Sequence, residues 1–254
     1  MSDLQKAIAA ARLGGKAALS RYGKPLASHS KGGVDFYTEA DLAAERAARG
    51  YLGNNSSYPV FGEEEGGDRK AQKLWVLDGI DGSPNWRAGI PLWGTMLCLL
   101  DGPFARVCAF YLPALGGLYY AERGKGTFRA GRPARRLRVT RETDPTKLLI
   151  ATDVGYKGRE WKLDKLKRIV QEVRYAPVYG SAAFSLVSVA EGRLGGDVIW
   201  DVDINDTCAG ALLVEEAGGL AVNERGERFS RQDRTLIAAG NEAIKDFMLE
   251  RMGK

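Results

Sequence analysis

Between residues 92 and 129 four β-rich stretches (92–100, 104–112, 118–122 and 127–129) follow one another with only Asp-Gly-Pro, Pro-Ala-Leu-Gly-Gly and Gly-Lys-Gly turns between them. Turns that short join antiparallel neighbours, so this part of the chain reads as an antiparallel meander. After about residue 138 the rhythm changes. Strand-like and helix-like stretches alternate, the pattern of an α/β unit. The chain therefore divides into an α+β portion, residues 1–138, and an α/β portion, residues 139–254. No Ser/Gly/Pro-rich linker would let the two move freely. No internal repeat is present, which excludes a solenoid.

Ahead of the meander, Leu4, Ile8, Ala11, Gly15 and Ala18 recur at helical spacing behind a Ser2 cap. Residues 28–35 have no period and read as a loop. Thr38 and Asp41 are spaced as a capping box at the head of a second helix that stops near Gly53-Asn-Asn. Tyr58-Pro-Val-Phe and Leu74-Trp-Val-Leu are short strands, and both run into acidic residues, Glu63-Glu-Glu and Asp78. In the second portion the pattern predicts a strand near 148–152 and a helix with Leu166, Ile169, Val170 and Val173 on one face. A strand near 176–179, a helix from Ser181 to about Glu191, a strand at 197–200 and a helix from about Asp206 to Ala217 follow.

Composition narrows the function classes. With 44% apolar and 27% charged residues the chain can bury a sizeable core, and no apolar run reaches the roughly 18 residues of a membrane span. The N-terminus carries no signal-peptide core, so the expected location is cytoplasmic, without a membrane partner. Cys98, Cys108 and Cys208 are odd in number and lack metal-site spacing, so they read as small apolar residues. The net charge of +5 is concentrated in residues 123–147, with nine basic residues against Glu142 and Asp144. That stretch offers only Phe128 for base stacking, so no nucleic-acid partner is expected.

The chemistry is concentrated in Asp78-Gly-Ile-Asp-Gly-Ser-Pro-Asn-Trp86. Two carboxylates three residues apart on a Gly-containing turn supply hard oxygen ligands suited to Mg²⁺. Ser83-Pro84 reads as a helix cap followed by a proline in the first turn, which would offer the N–H groups of Gly82 and Ser83 to a phosphate. By itself the stretch reads equally as a surface turn capping a short helix. Glu63-Glu64-Glu65 reads as a solvated acidic loop or as a further ligand source. Asp41 and Asp206 have the ordinary explanation of helix caps.

Taken in order, Thr38-Glu-Ala-Asp41, Gly62-Glu-Glu64, Trp75-Val-Leu-Asp78-Gly-Ile-Asp-Gly-Ser-Pro-Asn-Trp86 with Gly89-Ile-Pro91, Gly180-Ser-Ala-Ala183, and the run from Asp206 to Gly219 resemble the inositol monophosphatase family of Mg²⁺-dependent, lithium-sensitive sugar phosphatases. The resemblance covers nearly the whole chain. It implies a layered αβαβα sandwich and a homodimer acting on a small phosphorylated sugar or polyol. Two to three Mg²⁺ ions are implied, with Mn²⁺ a candidate substitute and Li⁺ or Ca²⁺ candidate inhibitors. It also implies that Glu63, Asp78 and the Ile80 carbonyl hold one ion and that Asp78, Asp81 and Asp206 hold another. Asp41, Ser83 and Glu63 would form the catalytic set, with Asp41 and Ser83 orienting the attacking water. Gly82, Ser83, Ser181, Ala182 and Asp201 would contact substrate, and Lys31 would sit on a mobile loop, where it reads equally as an ordinary exposed lysine.

Three departures stand out: Gly79 where the family has proline, Pro84 where it has a second threonine, and a short stretch between Asp201 and Asp206. Asn85-Trp86 resembles the sugar and inositol branches and disfavours a 3′-phosphoadenosine 5′-phosphate phosphatase. The compact second portion resembles enzymes that hydrolyse both inositol 1-phosphate and fructose 1,6-bisphosphate. For the distal phosphate of the latter, Arg174, Arg193 and Lys157 are candidates, each read in preference as surface charge on a helix. A catalytically weak family member that binds a phosphorylated metabolite is the rival expectation, and the full carboxylate set argues against it.

Overall fold

The computed structural model describes residues 1–24, 27–33, 35–155, 158–201 and 203–253. Helices α1 (Asp3–Leu19) and α2 (Glu39–Asn55) begin at the expected capping boxes, Ser2 with Gln5 and Thr38 with Asp41. Between them residues 28–35, expected as a loop, contribute to a short antiparallel hairpin of β1 (Ser28–Gly32) and β2 (Asp35–Thr38). The side chains of β1 are exposed, so no alternating apolar pattern could announce it.

A seven-stranded sheet follows in chain order: β3 (Val60–Gly62), β4 (Lys73–Asp81), β5 (Gly94–Asp101), β6 (Phe104–Leu112), β7 (Gly117–Glu122), β8 (Gly126–Arg129) and β9 (Arg135–Arg136). Only the β3–β4 pairing is parallel. The six-residue helix α3 (Ser83–Ala88) springs from the end of β4. The second sheet has the order β10 (Ile150–Asp153), β11 (Gly196–Trp200), β13 (Thr235–Ala239) and β12 (Leu220–Val222), with β10 and β11 parallel. Helices α4 (Arg159–Glu172), α5 (Ala182–Ala190), α6 (Ile204–Glu216) and α7 (Glu242–Met252) complete the chain.

Strand periodicity decides the layering. Trp75 and Leu77 of β4 face α1 and α2 in one core, with Ala7, Ala10, Ala11, Ala48 and Leu52. Leu74 and Val76 point the other way, onto Leu186 of α5 and Leu212 of α6. Those two helices also bury Ile199, Leu236 and Ala238 of the second sheet. That sheet's opposite face, Ile150, Val198 and Ile237, is covered by Leu166 and Ile169 of α4 and by Ile244 and Met248 of α7. The result is the expected αβαβα sandwich, and its central core draws on residues from both sides of position 138.

Two expectations in the second half are corrected. Residues 176–179 form no strand: the segment runs beside β10, where Tyr175 and Pro177 only lend carbonyls to Ile150 and Thr152. Pro177 has no N–H to return. On α4, Val170 is 50% exposed, and Lys162 joins Leu166 and Ile169 on the buried face instead. No helix among the described residues is long and apolar enough to cross a membrane. Four of the nine basic residues in the segment are in ion pairs, Arg123 with Glu215, Lys125 with Glu122, Arg135 with Glu191 and Lys147 with Glu142 and Asp144. The three cysteines are free and buried.

Candidate active site

Asp78 has the strand parity of Leu74 and Val76, which directs it toward the layer containing α6. Carboxylate oxygens of Glu63, Asp78 and Asp206 lie within 4.8 Å of one another. Glu63 comes from the turn after β3 and Asp206 from the first turn of α6, so residues 143 positions apart meet there.

The turn bearing Glu63 is built by a residue the sequence reading missed. Glu45, fully buried on α2, accepts the backbone N–H groups of Glu64 at 2.8 Å and Glu65 at 3.0 Å, and Arg49 Nη2 at 2.9 Å. Gly62 is required there, because a Cβ would stand 2.1 Å from Glu45 Oε1. The three glutamates then diverge: Glu63 joins the cluster, and Glu65 pairs with Arg46 and Arg49. Lys31 of β1 places Nζ 2.6 Å from an oxygen of both Glu63 and Glu64. Burial and then the charge of Glu63 push Glu64 up to about 7 against the pull of Lys31.

Burial, followed by the charges of Glu63, Asp81 and Asp206, holds the Asp78 carboxyl well above its ordinary range. Asp206 is raised as well, by desolvation and then by Glu63. Three crowded carboxylates, those of Asp78 and Asp206 with raised proton affinity, are an oxygen-only donor set that fits a hard dication, which would relieve their repulsion.

Asp81 lies outside this group. Its Oδ1 accepts the N–H of Ala182 at 3.0 Å, and its Oδ2 accepts the N–H of Ala183 at 2.8 Å and the hydroxyl of Ser181. Burial raises Asp81 to about 6 against those three donors. Ser181 and Ala182, expected against substrate, thus hold a neighbouring carboxylate through the N-terminus of α5. They also border a small cleft with Thr152, Asp153, Tyr179 and Asp197.

Asp41 is 2% exposed and is the capping-box partner of Thr38 while also reaching Ser83. Its Oδ2 accepts the Thr38 N–H at 2.7 Å and the Thr38 hydroxyl at 2.5 Å, while its Oδ1 lies 2.5 Å from Ser83 Oγ. Ser83 Oγ is also 2.9 Å from the Ile80 carbonyl. The cap of α3 is Gly82, in the left-handed region at φ 86°, so Ser83 stands inside the helix rather than before it. Likewise Asp203 caps α6, and Asp206 is its partner three residues on. Arg69 forks onto the Asp203 carboxylate from the loop after β3. Gly79 lets β4 press against α2: a Cβ there would lie 2.9 Å from Asp41 O and Glu45 N.

Asp201 follows β11 and pairs with Lys162 Nζ at 2.9 Å. Arg193 is engaged by Glu191 and lies over the Phe184 ring, Arg174 is exposed, and Lys157 falls outside the described residues.

Residues 1–253 match the inositol monophosphatase family. The chain belongs to this family. It is 30% identical over 262 residues to inositol monophosphatase 2 of Solanum lycopersicum, an alignment that covers 98% of this chain and 97% of the relative. It is 31% identical over 264 residues to the fructose-1,6-bisphosphatase/inositol-1-monophosphatase of Aquifex aeolicus, covering 98% and 96%. Among solved structures, extragenic suppressor protein suhB of Bartonella henselae superposes with a TM-score of 0.91 at 28% identity, covering 98% of both chains. The IMPase of Thermotoga maritima gives 0.90 at 26% identity, covering 99% of this chain and 97% of that one. Membership in the family makes the protein a phosphoric monoester hydrolase.

Proposed function

We propose that the protein is a Mg²⁺-dependent phosphomonoesterase that hydrolyses inositol 1-phosphate and also accepts fructose 1,6-bisphosphate. The observation that carries this reading is the Ser83–Asp41 hydroxyl–carboxylate pair beside the acidic cluster of Glu63, Asp78 and Asp206. Glu63, Asp78 and Asp206, with Asp81 and the Ile80 carbonyl on the neighbouring turn, would hold Mg²⁺, which would make water more acidic and neutralise charge on the phosphoryl oxygens. Ser83 Oγ gives its proton to Asp41 Oδ1, which leaves the lone pairs of Oγ to accept a proton from water and aim it. Thr38 fixes the other oxygen of Asp41, so the pair cannot rotate away. The backbone N–H groups of Gly82 and Ser83 are assigned to the phosphate, and Asp201 to substrate hydroxyls.

The two-activity name of the Aquifex aeolicus relative supports the bisphosphate as second substrate. A cytoplasmic homodimer completes the proposal. Phosphate release from inositol 1-phosphate, fructose 1,6-bisphosphate and 3′-phosphoadenosine 5′-phosphate, each with Mg²⁺ and with EDTA, tests it. Mg²⁺-dependent turnover led by inositol 1-phosphate is expected. EDTA-insensitive turnover would overturn the metal assignment, and a lead for the nucleotide would move the chain to another branch.

A further inference from the structure

Among the described residues Lys162 is the only buried lysine or arginine, 1% exposed. A cation out of water is tolerated only when paired. Its stem lies on the α4 face that carries Leu166 and Ile169, and its Nζ reaches two acceptors, Asp201 Oδ2 at 2.9 Å and the Val154 carbonyl at 3.2 Å. The Trp161 ring centroid lies 5.5 Å from the same nitrogen. The partner carboxylate is the opposite in character, since the Asp201 side chain remains 45% exposed.

Asp201 is also the one non-glycine residue in the left-handed backbone region among those described, at φ 54°. That conformation is disfavoured for a residue with a Cβ and persists when its surroundings hold it. Because β10 and β11 are parallel, Asp153 and Asp201 emerge at the same sheet edge, where α4 begins and where ligands of parallel strands collect. A buried cation and a strained backbone thus converge on one exposed carboxylate, five residues before Asp206.

We infer that Lys162 is a positioning residue for substrate selection. It holds Asp201 oriented as acceptor for the hydroxyls of a polyol phosphate, and its charge offsets the carboxylate charge that would otherwise repel the substrate's phosphate. This rests on the phosphatase reading and names what its hydroxyl side requires.

The test uses Mg²⁺-loaded enzyme and two substrates, inositol 1-phosphate and p-nitrophenyl phosphate, which has no hydroxyl for Asp201. Lys162→Met keeps the apolar stem and removes the charge. The KM for inositol 1-phosphate should rise about 10- to 100-fold, as expected for losing an oriented charged acceptor, with kcat within about 3-fold. For p-nitrophenyl phosphate, kcat/KM should change by less than about 2-fold. Asp201→Asn should raise the same KM, and the double variant should be no worse than the worse single one. A parallel fall for both substrates would mark Lys162 as merely structural and overturn the inference. If Lys162→Met does not fold, Lys162→Gln, which keeps a donor of similar reach without the charge, is read by the same two-substrate comparison, and an unchanged KM for inositol 1-phosphate in it or in Asp201→Asn overturns the inference. Wild-type enzyme inert toward both substrates would instead bring down the phosphatase reading, and this inference with it.

Discussion

Asp78 and Asp201 both lie toward the ends of strands, one in each sheet, and their surroundings are opposite. Asp78 is 3% exposed and feels Glu63, Asp81, Asp206 and Asp41, so its carboxyl resists ionisation. Asp201 is half in water and has a buried ammonium dedicated to it. A carboxylate meant for an exogenous dication gains from being left among other acids, since their repulsion is what the ion relieves. A carboxylate meant for neutral hydroxyls needs its charge stabilised by the protein itself. Glu63 stands between the two cases, touched by the acidic cluster on one side and by Lys31 on the other.

The largest test of that contrast is Asp78→Asn. It should lower Mg²⁺-dependent kcat by at least about 10³-fold, because it removes a ligand charge from the centre of the cluster. In EDTA the same variant should be more stable than wild type at neutral pH. The wild-type carboxyl is raised in the fold, so its contribution to stability falls as pH rises above the unfolded value of about 3.9, and Asn has no such loss. Turnover at the wild-type rate would remove Asp78 from the site.

Next in size, Ser83→Ala should cost about 10²- to 10⁴-fold in kcat, the range for losing a positioned proton acceptor, while Ser83→Thr should stay within about 10-fold. Equal losses in both variants would mean that packing at the head of α3, rather than the hydroxyl held by Asp41, is what matters.

Asp197 sharpens the comparison with the smallest effect. It is 2% exposed, and burial raises it to about 7 despite the Ser185 hydroxyl, with Asp153 adding to the rise. Like Asp78 it is a buried acid raised first by desolvation, yet it stands outside the Glu63–Asp78–Asp206 group. Its penalty should build between about pH 4 and pH 7 and stay flat above. Asp197→Asn should therefore match wild type near pH 4 and exceed it at pH 8 by on the order of 1–4 kcal/mol in urea unfolding. An unchanged pH dependence would show that Asp197 stays ionised throughout.

Much of the site was legible from local pattern, because helix caps and metal ligands draw on the same chemistry. Asp41 and Asp206 could be read as caps or as site residues, and the structure puts each in a capping box while bringing Asp41 to Ser83 and Asp206 to Glu63 and Asp78. Lys162 was legible in principle, standing four and seven residues before Leu166 and Ile169 on one helical stripe. A lysine on an apolar face looks like an error until its partner is known. Glu45 carried a weaker signal, and Arg69 and Asp203 carried none, since their roles depend on loops meeting across layers.

What the sequence by itself determined is the two-part rhythm and the ligand types: short turns impose an antiparallel sheet and alternation imposes the α/β half, while the layered sandwich was implied by the family resemblance. Only the tertiary structure decided which carboxylates converge. Asp81 turned to the N-terminus of α5 while Glu63 and Asp206 closed on Asp78, a choice made by N–H groups and burial contributed by residues more than a hundred positions away. Local periodicity carries the direction of a side chain relative to its own element, but the energy of a buried charge depends on everything packed around it.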